Sequence, residues 1–195
     1  MRIGEVLFSK RGYVGIPYFL LVLFLSKWDS RLFIVGLLIC LFGEILRLWS
    51  VAYAGLTTRG REITAKTLVT SGPYSFVRNP IYLGNFLIGL GYTVALGVLR
   101  WEVLAIYFIG FFLEYYLIIR AEESYLEQKF GEEYSRYRAS VPRFLPKVFR
   151  RYSSAENVSP NFKMALLSEK STLLLLLGLY VLFFLRLSFF FQNPK

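Results

Sequence analysis

Five apolar runs separated by short polar segments dominate the chain: residues 12–26, 32–53, 81–99, 101–119 and 173–191. A helix crossing a bilayer needs about 20 mostly apolar residues, so each run reads as a membrane span. The first is short and must tilt little or start within the interface. The "KR" before it also suits a signal peptide. It has no small-residue cleavage site, however, and "KWDSR" leads straight into the next run, so it is read as a span. The expected fold is therefore all-α: a polytopic membrane bundle of about five helices.

The polar segments set orientation and organisation. With the N-terminus in the cytoplasm, 17 of the 23 Lys and Arg fall on the inner side and 4 on the outer, while Arg47 and Arg186 lie within spans. That asymmetry follows the positive-inside rule and places the C-terminus outside. Residues 1–148 read as one membrane domain. Residues 149–170 read as a polar linker, "RRYSSAENVSPN", with an interfacial helix at "FKMALLSEK". Residues 171–195 read as a C-terminal span, whose many Leu and Phe suggest loose packing against the other helices. Arg186 lies near enough to its outer end to snorkel to the headgroups.

Composition agrees and removes several chemistries. The chain is 55% hydrophobic and 18% aromatic, too much for one small soluble core. It has no histidine, which excludes His-based metal sites and Ser-His triads. Cys40, the single cysteine, reads as a small core residue, and no metal site is expected. The formal charge of +10 is explained by topology and attraction to anionic lipid; no nucleic-acid motif accompanies it.

Charges within or beside spans are costly and usually face a bundle interior or an aqueous cavity. Glu44 and Arg47 stand three apart in "GEILRLWSVAYAG" and share a helix face. They read either as a self-satisfied ion pair or as a cation offered to an anionic substrate. Glu114 reads either as a structural hydrogen-bonding group or as a functional one. Glu122 and Glu123 end the fourth span, where the helix dipole disfavours anions. They need a cationic partner: a ligand ammonium or sulfonium, Arg120, or a loop arginine. The stretch "GPYSFVRNPIYLG" supplies the opposite charge. Asn79 followed by Pro80 reads as a capped helix start, with free amide groups and Arg78 beside it to attract a carboxylate. Tyr82 faces the layer of Glu122. Paired anion and cation sites at one depth suit an α-amino acid.

"LVTSGPYSFVRNPIYLG", "EESYLEQKFGEEYSRYRASVPRFLP" and the earlier "GEILRLWSVAYAG" resemble the isoprenylcysteine carboxyl methyltransferases and their prokaryotic relatives, and more distantly the phospholipid N-methyltransferases. The resemblance covers about half the chain, residues 43–146, and implies that this is the core and that residues 171–195, beyond it, are an additional span without which the core folds. It implies an integral membrane enzyme that binds S-adenosylmethionine on the cytoplasmic side, releases S-adenosylhomocysteine, and methylates a lipid-like substrate from the bilayer. By resemblance Arg47 lies beside the substrate and the block from Leu68 and Val69 through Gly72 to Tyr74 lies along the cofactor. Arg78, Asn79 and Tyr82 match an Arg-His-Pro-x-Tyr block, and Glu122 and Glu123 match the glutamates near the cofactor. Asn79 replaces the usual histidine; it can hydrogen-bond through its amide but cannot act as a base.

Three functions are expected in order: carboxyl methylation of an isoprenylcysteine-like substrate, N-methylation of a phospholipid headgroup, and an inactive protein retaining the fold. A carboxylate needs no base, and Arg47 would orient it. An amine would need Glu44 or Glu114 as base.

Overall fold

The computed structural model describes residues 3–146, 152–153 and 158–192. Every regular element among them is helical: α1 (Ile3–Val14), α2 (Ile16–Leu25), α3 (Ser30–Ala54), α4 (Pro80–Ala95), α5 (Trp101–Phe130), α6 (Glu132–Ser140) and α7 (Phe162–Gln192), with 3₁₀ turns at Leu56–Arg59 and Gly72–Ser75. Four segments are long and apolar enough to cross a bilayer: Ile3–Leu25, Ser30–Ala54, Trp101–Phe130 and Phe162–Phe189. The remaining expected span, α4, has 16 residues. At 1.5 Å per residue it is about 24 Å long, short of the ~30 Å hydrocarbon thickness.

α4 is short because α3 and the loop before it define its ends. It runs antiparallel to α3 along a seam of small residues. A Cβ on Gly43 would stand 2.8 Å from the Gly84 carbonyl oxygen, and one on Gly91 would stand 2.6 Å from the Cys40 amide. In lipid such close backbone approach supplies the van der Waals contact that holds helices together. The Lys27 amide donates to the Leu96 carbonyl at 2.8 Å, so α4 ends level with the start of α3. Its other end lies roughly a turn inside the end of α3, and the connection 55–79 folds into that recess. Gly91→Val should therefore force the two backbones apart and cost about 1–3 kcal/mol. Thermal unfolding in detergent should show the loss, and Gly12→Val, where a Cβ meets nothing within 4 Å, should not.

The first span begins earlier than the apolar pattern suggests. α1 carries Lys10 and Arg11, and Arg11 satisfies its charge by donating to the carbonyls of Phe8, Thr58 and Gly60. α1 and α2 together form one 23-residue segment, with Pro17 admitted in the first turn of α2. The start of α3 is capped by Asp29, whose side chain accepts from the Arg31 and Leu32 amides at 2.9 Å each.

The last helix is more firmly attached than expected. α7 runs unbroken from Phe162, so "FKMALLSEK" is its first turns rather than a separate interfacial piece. Asn161 caps it by accepting from the Met164 amide, and its own amide donates to Ala52 at the end of α3. Phe183 is fully buried with Val22, Tyr92 and Leu96. Arg186 does not snorkel outward. It donates to the Phe24 and Ser26 carbonyls, neutralising the C-terminal end of α2. Gly178 meets nothing within 4 Å and does not mediate the packing. Residues 149–151 and 154–157 of the expected linker, and residues 193–195 of the C-terminus expected outside, lie outside the described residues.

Candidate functional site

A cavity of about 1360 Å³ lies between α1, α2, α3, α4, α5 and α7 and is also lined by residues of the 58–69 loop. Arg47, Leu68, Val69, Tyr74, Arg78, Asn79, Tyr82, Glu114, Glu122 and Glu123 all line it. Glu44 and Gly72 do not. Gly72 has φ +60°, and a Cβ there would stand 2.6 Å from the Tyr53 ring. It lets the Gly72–Ser75 turn lie flat against α3 and supports the wall from behind.

At the loop end, Glu123 is taken by two guanidinium groups. Arg78 donates through Nε at 3.1 Å and Nη2 at 2.8 Å; Arg143 donates through Nε at 3.2 Å and also through Nη2. The remaining Arg78 nitrogen donates to the Arg138 and Val141 carbonyls. Of the partners considered for the glutamates, a loop arginine and Arg78 itself thus serve Glu123. Arg78 is not a free anion site, because all three of its nitrogens are occupied. The clamp ties the approach to α4, the end of α5 and the segment after α6 into one unit. Donating to the Glu123 carboxylate raises the pKa of the Arg143 guanidinium above its ordinary value.

Glu122 differs from its neighbour. One oxygen accepts from the Tyr82 hydroxyl at 2.8 Å, and no Lys or Arg among the described residues forms an ion pair with it. Asn79 occupies the position before α4 and Pro80 the first helical position, as expected, but the Asn79 side chain makes no capping bond. Its amide donates to the Arg143 carbonyl at 3.2 Å instead. The first-turn amides of α4 are therefore left without a side-chain cap beside the cavity. Tyr74 is held through its carbonyl by the Tyr137 hydroxyl at 2.8 Å. Burial, and behind it the Glu122 carboxylate, pushes its phenol well above the ordinary value, so it stays a neutral hydroxyl.

Deeper in the bundle, Arg47 is the centre of a second network. Its Nη2 donates to Glu169 at 2.6 Å and to Thr172 at 3.5 Å, Nη1 donates to Asn85, and Nε stands 3.4 Å from Glu44. Asn85 in turn donates to the Tyr115 hydroxyl at 3.0 Å. Glu114 lines the same part of the cavity, and its Oε1 is buried with no hydrogen-bond partner among the described residues. The structural hydrogen bond considered for it is not seen there. Glu114 and Glu122 are eight residues apart on α5, about 12 Å along the helix. The cavity thus joins a polar end at Glu122 to a membrane-depth end at Arg47 and Glu114, and Leu21, Ile106, Leu176 and Leu179 add apolar wall.

Sequence reasoning missed Glu169, Asn85 and Arg143. Glu169 carried the clearest signal, an acid four residues before an unbroken run of leucines. Asn85 was a lone amide in an apolar run. Arg143 had no local sign of its role.

These features define an integral membrane helical bundle with one amphipathic chamber between its helices and a charged loop layer. Residues 32–133 match the family described as phospholipid methyltransferase, and the chain belongs to that family. It is 33% identical over 145 residues to the nickel-cobalt-cadmium resistance protein NccN of Alcaligenes xylosoxydans xylosoxydans, covering 71% of this chain and 63% of that protein. It is 35% identical over 131 residues to the cobalt-zinc-cadmium resistance protein CzcN of Cupriavidus metallidurans, covering 63% of this chain and 55% of that one. The protein-S-isoprenylcysteine O-methyltransferase of Homo sapiens is 34% identical over 130 residues, 63% of this chain and 44% of its own length. The chain thus spans roughly half the length of the curated relatives it matches. No solved structure matches it.

Proposed function

We propose that the chain is an S-adenosylmethionine-dependent membrane methyltransferase acting on a lipid-like acceptor, with its loop layer on the cytoplasmic side. The observation that carries this is a continuous chamber that joins a polar end, with the Glu122 carboxylate and the uncapped first turn of α4, to an end lined by apolar helix residues. The residues present fit the donor. Glu122, without an ion-pair partner among the described residues, would hold its ammonium, and the uncapped first turn of α4 its carboxylate. Leu68, Val69 and Tyr74 would lie along it. Family membership and the names of the relatives support the same reading.

S-adenosylmethionine brings a methyl group already activated on a sulfonium, so displacement at carbon needs alignment and dryness more than further activation. The chain supplies both. The Arg78–Glu123–Arg143 clamp holds the loop layer over the polar end. Tyr82 fixes the Glu122 carboxylate. The apolar residues of α2, α5 and α7 exclude water and accept a hydrocarbon tail.

Two acceptor headgroups are considered. Carboxyl methylation follows the relatives named isoprenylcysteine O-methyltransferases, with Arg47 orienting the carboxylate. Amine methylation is favoured by Glu114, whose buried, unpartnered oxygen can take the proton an ammonium must lose before nitrogen attacks the methyl carbon. Titration calorimetry in detergent should show S-adenosylhomocysteine binding to the wild type. Glu122→Gln should weaken it by about 1–3 kcal/mol through loss of a charged hydrogen bond. No binding to the wild type at millimolar concentration would overturn the donor assignment.

A further inference from the structure

We propose that Arg11, on a helix outside the family-matched segment, is the positioning residue that fastens the 58–69 loop over the polar end of the chamber and so controls access of a water-borne ligand to Glu122. The inference rests on the donor reading of that end. Its basis is how the loop is held. Residues 60–70 line the chamber in part and make no backbone–backbone hydrogen bond among the described residues. Cations from two other elements take carbonyls of the loop instead. Arg11 of α1 donates through Nη2 to the Thr58 carbonyl at 2.8 Å and the Gly60 carbonyl at 3.0 Å. Lys129, near the end of α5, donates to the Ala65 carbonyl. Two apolar side chains complete the hold. Leu68 packs with Tyr134 and Tyr137, and Ile63 packs on the cluster that contains Tyr82, whose hydroxyl bonds Glu122.

Arg11 is the stronger of the two ties. No carboxylate among the described residues pairs with it. Its guanidinium lies 3.8 Å from the centre of the Phe8 ring, and its third acceptor is the Phe8 carbonyl of its own helix. Two of its three acceptors therefore belong to the loop, and opening the loop strips a half-buried cation of both. Leaving a charged donor unsatisfied is costlier than losing a neutral hydrogen bond. The other face of the loop is wet: Arg61, Glu62, Thr64, Lys66 and Thr67 are exposed. A thin segment with no backbone ladder and few buried side chains is the part of a structure that opens most readily. Here that part stands between water and Glu122, and Arg11 sets how often it opens. The family-matched residues 32–133 include the loop and Lys129 but not α1, so this tie comes from outside that segment.

The test uses the full chain in neutral detergent and needs no methyl transfer. A water-soluble carbodiimide with glycine ethyl ester labels accessible carboxyl groups. Peptide mass spectrometry then compares Glu122 with Glu133, an exposed reference on α6. Glu122 should label slowly in the wild type. Arg11→Gln should raise the Glu122-to-Glu133 ratio by about tenfold, the factor that loss of one charged hydrogen bond supplies. Lys10→Gln removes the same charge from an exposed position off the chamber and should not raise it. Arg11→Lys, whose ammonium can still donate to both carbonyls, should restore slow labelling, which a purely packing role would not require. Arg11→Gln should also bind S-adenosylhomocysteine about tenfold more weakly. If Arg11→Gln does not fold, Lys129→Gln, at an exposed position, decides: a raised ratio supports the proposal and an unchanged one overturns it. Fast labelling of Glu122 in the wild type, an unchanged ratio in folded Arg11→Gln, or a raised ratio with unchanged ligand affinity also overturns it. A wild type that binds no S-adenosylhomocysteine removes the donor reading, and the labelling ratio still decides whether Arg11 fastens the loop, so the two readings fail separately.

Discussion

Replacing Glu123 by Gln should destabilise the protein by about 3 kcal/mol or more, the cost of leaving a buried charge without its partner. Arg78 and Glu123 are each about one-tenth exposed at the side chain, with Nη2 and Oε1 2.8 Å apart. Gln keeps one acceptor oxygen but loses the charge that holds two guanidinium groups together. Arg143 is one-third exposed and water would compensate part of its loss. Arg78 has no such relief, because its other donors are already directed at carbonyls. The contrast is Glu127→Gln. Its pair with Arg138 is 3.0 Å long but about half exposed on both sides. Such a pair contributes about 0–1 kcal/mol. Thermal unfolding in detergent of the two variants should therefore separate clearly. Equal small shifts would mean that the clamp is solvated and that the loop layer is held by packing alone. Glu123 lines the cavity as the sequence suggests, yet its oxygens already serve Arg78 and Arg143, so its loss should register in stability before ligand affinity.

Much of this architecture is legible in the sequence, and the reasons are local. Long apolar runs announce membrane helices regardless of what they pack against. The "RNPIYLG" stretch does start a helix at Pro80 and puts Tyr82 on its first turn, because both follow from helical register. What fails to show is what joins distant segments. Arg78 and Glu123 are 45 residues apart, and Arg47 and Glu169 are 122 apart. Asn79 has the composition of a cap, and its amide is drawn away by the Arg143 carbonyl of a segment 64 residues further on. Span length also misleads where a backbone seam is tight. Residues 96–99 are as apolar as a helix end, but Gly97 turns the chain at φ +70° and stops α4 early. The first span errs the other way. Lys10 and Arg11 look like flanking charges until the carbonyls of the 58–60 turn are seen to accept Arg11.

Truncation after Pro146 should abolish the compact state rather than trim an accessory helix. The last span lies beyond the family resemblance and is a leucine-rich helix with few small residues, which suggests that it is separable. Its contacts argue otherwise at three depths. At the loop end the Asn161 amide is tied to Ala52. At mid-bundle Glu169 neutralises Arg47, and removing one partner of a buried pair costs about 3–5 kcal/mol. At the far end Phe183 fills a fully buried position among α2 and α4 residues, and Arg186 holds the carbonyls that end α2. Lipid tails could cover the exposed Leu and Phe at little cost, because helix association in a bilayer has no hydrophobic drive. They could not replace Glu169 or Arg186. The loss should therefore be electrostatic in origin and partly reversible by a neutral core. Truncation combined with Arg47→Met should recover part of the thermal stability that truncation alone removes. The measurement is the melting transition in detergent of three proteins: full chain, truncated chain, and truncated chain with Arg47→Met. A truncated chain that melts like the full one, and binds S-adenosylhomocysteine equally well, would show α7 to be accessory and Arg47 to be stable with Glu44 alone.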